Sequence, residues 1–381
     1  MIRVVFLIRS LHEGGTERQL ATLLPRLHKD RFDVTVITFY SGGPFAKSLT
    51  ANHIRVISLD KRGRWDLLVL RRLVAELKQR RPAILHSYLV EPNVVATLIK
   101  PLLRGTKVVW GLRTSDMHLS QYDWFTRMNF KLQILLSGFA DLAIFNSRAG
   151  RDYHFKSGLR TRETLVIRPG IETDEFKPDA ELRRQGRQDW APNDDTLLVG
   201  LIARLDPIKG HSTFLKAAAL LASERPECRF ICVGAGSGEY AAGMRRLGEE
   251  LGLSDRLVWA GSRTDMSCVY NAMDIVCCSS VSEGLPNVVA EAMACDVPCV
   301  VTDVGDSALL VGDTGVVVPA NDERALAGGL NQCIEDIRAR RLPSPRVRIV
   351  NSFGVEQLVE QTEGALAGVY ANARFTGRSR S

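Results

Sequence analysis

Short apolar runs alternate with helix-period segments along most of this chain. Ile2 to Ile8 is apolar except for Arg3, the pattern of a strand buried on both faces. Phe32 to Thr38, Ile54 to Leu59, Pro82 to His86, Lys107 to Trp110 and Leu142 to Phe145 read as further strands. Between them, Trp65 to Arg80 carries Leu67, Leu68, Leu70, Leu73, Val74 and Leu77 at helical spacing, and Tyr122 to Leu136 reads as another helix. Gly14-Gly15 precedes Thr16-Glu17-Arg18-Gln19, a capping-box pattern that opens the first helix, and Asn146-Ser147 opens a later one. Strands that alternate with helices predict α/β architecture, with parallel sheets covered by helices on both faces.

Periodicity fades from Arg168 to Asp195, where Pro169, Gly170, Pro178, Gly186, Pro192 and Asn193-Asp194-Asp195 mark a connecting segment. The pattern then restarts. Strands are expected at Leu197 to Ile202, Arg229 to Val233, Leu257 to Ala260, Asp274 to Cys278, Val297 to Thr302 and Gly315 to Val318. Helices are expected at Ser212 to Ser223, Tyr240 to Leu251 and Glu323 to Asp336. A basic, proline-containing bridge, Arg338 to Arg348, leads to a last helix at Val355 to Ala371 and a polar, disordered tail from Arg374 to Ser381. The division predicted is two doubly wound domains, 1–178 and 179–352. Ligands of such sheets bind beyond the carboxyl ends of the strands.

One stretch carries candidate chemistry on its own. Ser279 to Met293 reads as a strand end, a turn and a helix start, with Pro286 in the first helical turn. Glu283 then lies on the turn and Glu291 about one and a half turns inside the helix. A helix N-terminus between two carboxylates offers free N–H groups to a phosphate and two acceptors to sugar hydroxyls. The same letters also describe a capped helix with two surface glutamates. The loop Gly200 to Gly210 adds Arg204 and Lys209, a planar fork and a compact charge suited to phosphate oxygens. Alone that loop is an ordinary charged loop; joined to the glutamate pair it becomes specific.

Composition adds bounds. The chain has 381 residues, 45% hydrophobic and 24% charged, an ordinary globular balance with length for two domains. No run approaches the ~20 apolar residues of a membrane helix, and Val4 to Ile8 is too short for a signal-peptide core, so a cytosolic location is expected. All eight cysteines lie between Cys228 and Cys333 with no Cys-x-x-Cys, which predicts buried reduced thiols. Residues 1–180 hold 29 Lys+Arg against 17 Asp+Glu, so the first half should meet an anionic partner: membrane surface, phosphorylated substrate or nucleic acid. No basic-helix or RNA-sheet motif accompanies that charge, and nucleic acid is not expected.

These motifs together resemble the retaining nucleotide-sugar glycosyltransferases of the GT-B fold, family four, the group with a Glu-x7-Glu motif. The resemblance runs through Gly14-Gly15-Thr16-Glu17, Arg204/Lys209, Val233-Gly234-Ala235-Gly236, Gly261-Ser262-Arg263-Thr264-Asp265, Glu283 to Met293 and Val301-Thr302-Asp303-Val304-Gly305. It is nearest in look to bacterial polysaccharide and O-antigen enzymes. It implies two Rossmann-like domains, the first binding acceptor and the second a UDP- or GDP-sugar donor, with a C-terminal helix (353–371) packing back on the first. Gly14 and Gly15 would let backbone approach the donor diphosphate. Arg204 and Lys209 would neutralise that diphosphate, and the amides near Gly284, Leu285, Pro286 and Asn287 would bond donor sugar or phosphate. Glu291 would accept ribose hydroxyls, Glu283 would hold the donor sugar, and Arg263 would reach the base through its backbone. The acceptor hydroxyl would attack on the face the diphosphate leaves, with the leaving phosphate taking the proton. No Asp-x-Asp occurs, and neither metal nor other cofactor is expected.

Two departures stand out. Family members carry a His after a first-domain strand; the comparable stretch here is Trp110 to His118, where Arg113, Ser115, Asp116 or His118 could serve, or His86 from another strand. Arg168-Pro169-Gly170 stands where Pro-Asn-Gly is frequent. On the acceptor side, Lys61-Arg62-Gly63-Arg64-Trp65 with Arg71 and Arg72, and Tyr122-Asp123-Trp124-Phe125 with Arg127, Phe130 and Lys131, suit an anionic membrane surface and a lipid-linked saccharide acceptor. Rival readings are an epimerase of the same fold and a dinucleotide oxidoreductase. The latter rests on Gly234-Ala235-Gly236-Ser237-Gly238, which has Glu239 in place of the last glycine of Gly-x-Gly-x-x-Gly.

Overall fold

The structure is a computed structural model that describes residues 1–12, 14–63, 66, 68–113 and 123–378, with side chains as far as residue 371. It contains two compact units, Met1–Gly170 with Val355–Ser381, and Ile171–Gly354.

The first unit is built on seven parallel strands: β1 (Ile2–Ile8), β2 (Phe32–Thr38), β3 (Arg55–Ser58), β4 (Ile84–Tyr88), β5 (Lys107–Leu112), β6 (Leu142–Phe145) and β7 (Thr164–Val166). Their spatial order is β3-β2-β1-β4-β5-β6-β7. Val4 therefore lies opposite both Val34 and Ile84, and the order reverses between β1 and β4. Alternate residues of β1 feed two cores. Val4, Phe6 and Ile8 pack with the C-terminal helix Val355–Arg378, and Val5 and Leu7 pack with the helices on the other face. That helix is also held electrostatically. The buried Glu363 accepts from the His28 backbone N–H at 2.7 Å and pairs with Arg31 at 2.7 Å.

The second unit has β8 (Leu197–Ile202), β9 (Cys228–Val233), β10 (Leu257–Gly261), β11 (Ile275–Cys278), β12 (Cys299–Thr302) and β13 (Val316–Val318). Their order, β10-β9-β8-β11-β12-β13, reverses between β8 and β11. This pairing is the one that matters for the site. β8 runs into the Arg204/Lys209 loop and β11 into the Glu283 turn, so two segments far apart in sequence leave adjacent strands at one switch point. The eight cysteines are unpaired, seven of them buried.

Several local expectations need correction. The first helix begins at Gly15 with Gly14 at its N-cap, so Thr16 lies inside it and makes no capping box. Pro286 is the N-cap of the helix Asn287–Ala294 and not part of its first turn. The connecting segment contains a helix, Ala180–Arg187, whose exposed, polar surface gave no apolar period. Its Arg183 and Arg187 bind Asp274 at 2.6 and 2.9 Å, which anchors it on the second unit. The chain enters that unit at Ile171 and not at 179, because the Ile171 N–H donates to Phe353 O at 2.9 Å and Phe176 joins its core. The basic bridge holds a helix, Pro345–Ser352, capped by Ser344, and the last helix runs through Arg378. Trp65 and Tyr122, the expected starts of two helices, lie outside the described residues, and those helices are seen from Leu68 and Trp124.

Each unit buries a histidine, His86 in the first and His211 in the second, and neither ring nitrogen of His86 has a partner. Burial pushes them down, to about 3 and about 4. Both are neutral at pH 7, while in the unfolded chain they take a proton near pH 6.5. The contribution is fully present above that value and is lost as pH falls toward the folded pKa. Urea denaturation should show stability falling between pH 6.5 and 4, by up to about 1.4 kcal/mol per unit for each histidine. The fall should be shallower in His86→Asn and His211→Asn; an unchanged slope in both would contradict this.

Candidate functional site

At the end of β8, the Ala203 N–H donates to Val233 O at 2.8 Å and the Leu205 N–H to Ala235 O at 2.9 Å. The glycines of Gly234-Ala235-Gly236 exist for this contact. A Cβ on Gly234 would lie 1.9 Å from Ala203 O, and one on Gly236 2.3 Å from Leu205 Cβ. Asp206 then caps the short turn Pro207–Lys209 by accepting from the Ile208 N–H at 3.0 Å. Gly210 follows in the left-handed region at φ +67°, where a Cβ would sit 2.0 Å from Ser279 O.

Hydrogen bonds from two residues stitch this loop to the end of β11. The Ser279 hydroxyl proton is shared between the carbonyls of Lys209 and Gly210, at 3.1 and 3.0 Å, and the Val281 N–H donates to Ile208 O at 2.8 Å. The stitching brings Lys209 Nζ to 2.5 Å from Glu283 Oε1. Ser280 Oγ donates to the same oxygen at 2.7 Å. Both side chains are mostly covered, Glu283 at 13% exposure and Lys209 at 25%. A largely covered pair of this kind persists because each charge has its counterion and the carboxylate has a second donor. Arg204 differs: its side chain is 78% exposed and reaches only Asp206, at 3.6 Å.

Beyond Glu283 the backbone is pinned from the β12 side. The Asp306 N–H donates to Gly284 O at 2.7 Å, and Gly305, at φ +59°, lies so close that a Cβ would meet Glu283 O at 2.2 Å. Leu285 and Pro286 are buried, so they can offer a ligand backbone only. Asn287 opens the helix Asn287–Ala294, and its buried Oδ1 has no partner. Inside that helix Glu291 is 5% exposed and accepts from Tyr270 Oη at 2.7 Å. Tyr270 is itself held edge-on against Phe176, with ring centroids 5.8 Å apart. Arg263 follows β10, and its guanidinium is committed to Asp265 at 2.8 and 2.5 Å and lies over Trp190.

In the first unit the ends of β1 to β4 surround a cavity of about 980 Å³ lined by Arg9, His12, Glu17, Tyr40, Asp60 and Lys61 among others. Gly14, at the helix N-cap, is crowded by Glu17: a Cβ there would lie 2.1 Å from its Oε2, whereas Gly15 faces open space. Burial raises the Glu17 carboxyl above its usual range. Lys61 corrects an expectation: it is no membrane-facing cation, being 7% exposed, paired with Glu91 and placed over the Phe39 and Tyr40 rings. Arg72 likewise binds Asp66 and the Leu59 carbonyl. His86 is buried beside Phe6 and Tyr88, which excludes it as a ligand side chain, and Arg113 lies over the Tyr88 ring. Ser115, Asp116 and His118 lie outside the described residues.

Ser280 stands at the head of the Ser-x-x-Glu string but had no role of its own in the sequence reading. Sequence reasoning missed Tyr270, which only the fold brings to Glu291, and Arg9 and Tyr40, which only the fold brings to the first unit's cavity. Among the described residues, no group of three His, Cys, Asp or Glu is placed to hold a metal ion.

Residues 196–336 match the domain family "Glycosyl transferases group 1", and residues 13–175 match "Glycosyltransferase Family 4". The D-inositol 3-phosphate glycosyltransferase of Mycobacterium tuberculosis H37Rv is 31% identical over 219 residues, 55% of this chain and 43% of that protein. The match thus spans less than half the length of the curated relatives. Among solved structures, Anabaena HepE in complex with UDP has a TM-score of 0.83 and 25% identity, covering 96% of this chain and all (100%) of that one. It is also known in complex with UDP and glucose. A glycosyltransferase from Rickettsia africae shares the fold, with a TM-score of 0.81 and 16% identity over 97% of this chain and 98% of that one.

The glycine contacts predict unequal effects. Gly210→Ala and Gly305→Ala force a Cβ into a carbonyl at positive φ and should each cost about 2 kcal/mol or more. Gly15→Ala, in open space at a helix start, should change stability by less than about 1 kcal/mol. Chemical denaturation of the three variants measures this, and equal losses would contradict it.

Proposed function

We propose that this chain, a GT-B glycosyltransferase by its fold and by the domain families of both halves, is a retaining family-four enzyme. It moves a sugar from a nucleoside diphosphate to a hydroxyl of a lipid-linked saccharide in surface polysaccharide assembly. The Lys209–Glu283 pair at the β8/β11 switch point carries this reading. The complexes of HepE with UDP favour uridine over guanosine as the donor's base.

In this reading Glu291, oriented by Tyr270, takes the ribose hydroxyls. The helix start at Asn287 and the cations of Arg204 and Lys209 face the diphosphate. Arg204 is exposed and lightly held, so it can swing onto the leaving phosphate at little cost. Glu283 binds the transferred sugar. The bond from the anomeric carbon to the phosphate oxygen breaks, a bond to the acceptor oxygen forms on the same face, and the hydroxyl proton passes to the leaving phosphate. The protein's part is electrostatic: Arg204 and Lys209 stabilise the departing charge, and Glu283 stabilises the developing oxocarbenium. No metal is needed for the diphosphate in this scheme, because the two side chains supply its countercharge.

The glycines that suggested a dinucleotide site are used by the fold against Ala203 and Leu205, which disfavours an oxidoreductase. The acceptor is assigned to the first unit, in the cavity beyond β1 to β4. That unit carries 31 Lys+Arg against 16 Asp+Glu, and the second 19 against 27. One face of the helix Trp124–Leu136 leaves Trp124, Met128 and Leu135 at 61%, 42% and 76% exposure, with Arg127 and Lys131 beside them. An apolar stripe flanked by cations on a basic unit supports peripheral contact with the inner face of an anionic membrane. No described helix is long and apolar enough to cross one.

Turnover of UDP-, GDP- and ADP-sugars, with product configuration read by NMR, tests the reaction. UDP-sugars should lead, and the anomeric configuration should be retained. Glu283→Gln should keep UDP affinity within about threefold and lower kcat by about a hundredfold or more, equivalent to about 2.7 kcal/mol. Transfer at the wild-type rate by Glu283→Gln, or conversion of donor to an epimer without acceptor, would overturn the assignment.

A further inference from the structure

The reaction scheme uses the carboxyl edge of the first unit's sheet and leaves its amino edge unexplained. There the turn from Leu103 to Thr106 leads into β5. Gly105 closes it at φ +78°, the Leu103 N–H donates to Lys100 O at 3.0 Å, and Thr106 Oγ1 donates to Pro82 O at 2.8 Å. The turn is therefore a fixed wall, and two hollows share it.

On one side is a groove of about 570 Å³ whose apolar lining includes Leu98, Pro101, Leu136 and Phe139. Leu98 and Phe139 are 55% and 63% exposed, large apolar groups left to solvent. The groove is built, because Lys100 Nζ donates to Phe139 O at 2.7 Å and pairs with Asp141 at 2.6 Å, tying its two walls together. On the other side is a cavity of about 700 Å³ that presents Arg3, Lys78, Arg81 and Arg104, with no carboxylate in its lining. All four are exposed, and among the described residues none has a carboxylate partner. Arg104 lines both hollows.

We infer that the two hollows are one binding site for an anionic lipid, with its phosphate among Arg3, Lys78, Arg81 and Arg104 and an acyl chain in the groove beside Phe139. Charge complementarity selects the phosphate, and the contiguous apolar groove selects a lipid over a free anion. A soluble phosphate would leave Leu98 and Phe139 bare, and a neutral lipid would leave four cations uncompensated. The site lies away from the proposed acceptor cavity, so its occupant is an anchor and not the substrate. This inference rests on the membrane part of the proposed function.

Dihexanoyl phosphatidylglycerol, kept below its micellar concentration, can be titrated into the whole protein by calorimetry, with glycerol 3-phosphate and dihexanoyl phosphatidylcholine as controls. The anionic lipid should bind saturably and at least about tenfold more tightly than either control. Lys78→Glu combined with Arg81→Glu, and separately Leu98→Glu, should each weaken it by about tenfold while UDP affinity is unchanged. Glycerol 3-phosphate binding as tightly as the lipid, or full binding by the variants, overturns the site. Sedimentation with phosphatidylglycerol vesicles separates the two claims. Equal sedimentation of wild type and variants overturns this site and leaves the membrane reading standing. No sedimentation of wild type overturns the membrane reading and, with it, the lipid occupant.

Discussion

The second unit depends on backbone lying against backbone where no side chain fits. Gly210 presses on the Ser279 carbonyl, Gly234 on that of Ala203, and Gly305 on that of Glu283. These contacts make one packed layer of the loops that leave β8, β9, β11 and β12. The Lys209–Glu283 pair is their consequence. Two charges this well covered repay their desolvation only when geometry holds them together, and here backbone and not side-chain packing does the holding. Arg204, five residues from Lys209 in the same loop, stays exposed because nothing beyond Asp206 restrains it. One loop thus supplies a fixed cation and a movable one.

Much of this was legible in the letters, for physical reasons. Strands of a parallel sheet are covered on both faces, so they appear as apolar runs, and β1, β2, β6 and β8 coincide with the runs that announced them. The helix Val90–Ile99 was hidden for the converse reason: six of its ten residues are buried, and its apolar residues show no clean period. Ala180–Arg187 was hidden because it carries few apolar residues: it is held by the ion pairs of Arg183 and Arg187 and by close backbone packing of Gly186 on Cys268 and Ala272. Glu283 and Lys209 were visible as candidates, but their contact needed the strand order, which places β8 beside β11. Tyr270 was not visible at all. A buried tyrosine before a strand is an ordinary core residue until its hydroxyl is seen 2.7 Å from Glu291.

The charge contrast between the units has the same logic. In the proposed reading a nucleoside diphosphate brings its own negative charge, and the second unit, although net acidic, would meet it with a few placed cations. The first unit carries its excess of Lys and Arg elsewhere. Lys61 is spent inside the fold, while Arg127 and Lys131 face outward on the helix Trp124–Leu136 and Lys78, Arg81 and Arg104 at the amino edge. Counting charges along the sequence could not separate these two groups; burial does.

The central claim is that a diphosphate is bound at the β8/β11 switch point by Lys209 and Arg204. Calorimetric titration of UDP against uridine tests it most directly, because the two ligands differ only in the phosphates. UDP should bind at least about a hundredfold more tightly than uridine, a gain of about 2.7 kcal/mol, and Lys209→Ala should remove most of that gain without weakening uridine. Uridine binding as tightly as UDP, or an undiminished preference for UDP in Lys209→Ala, would contradict the account.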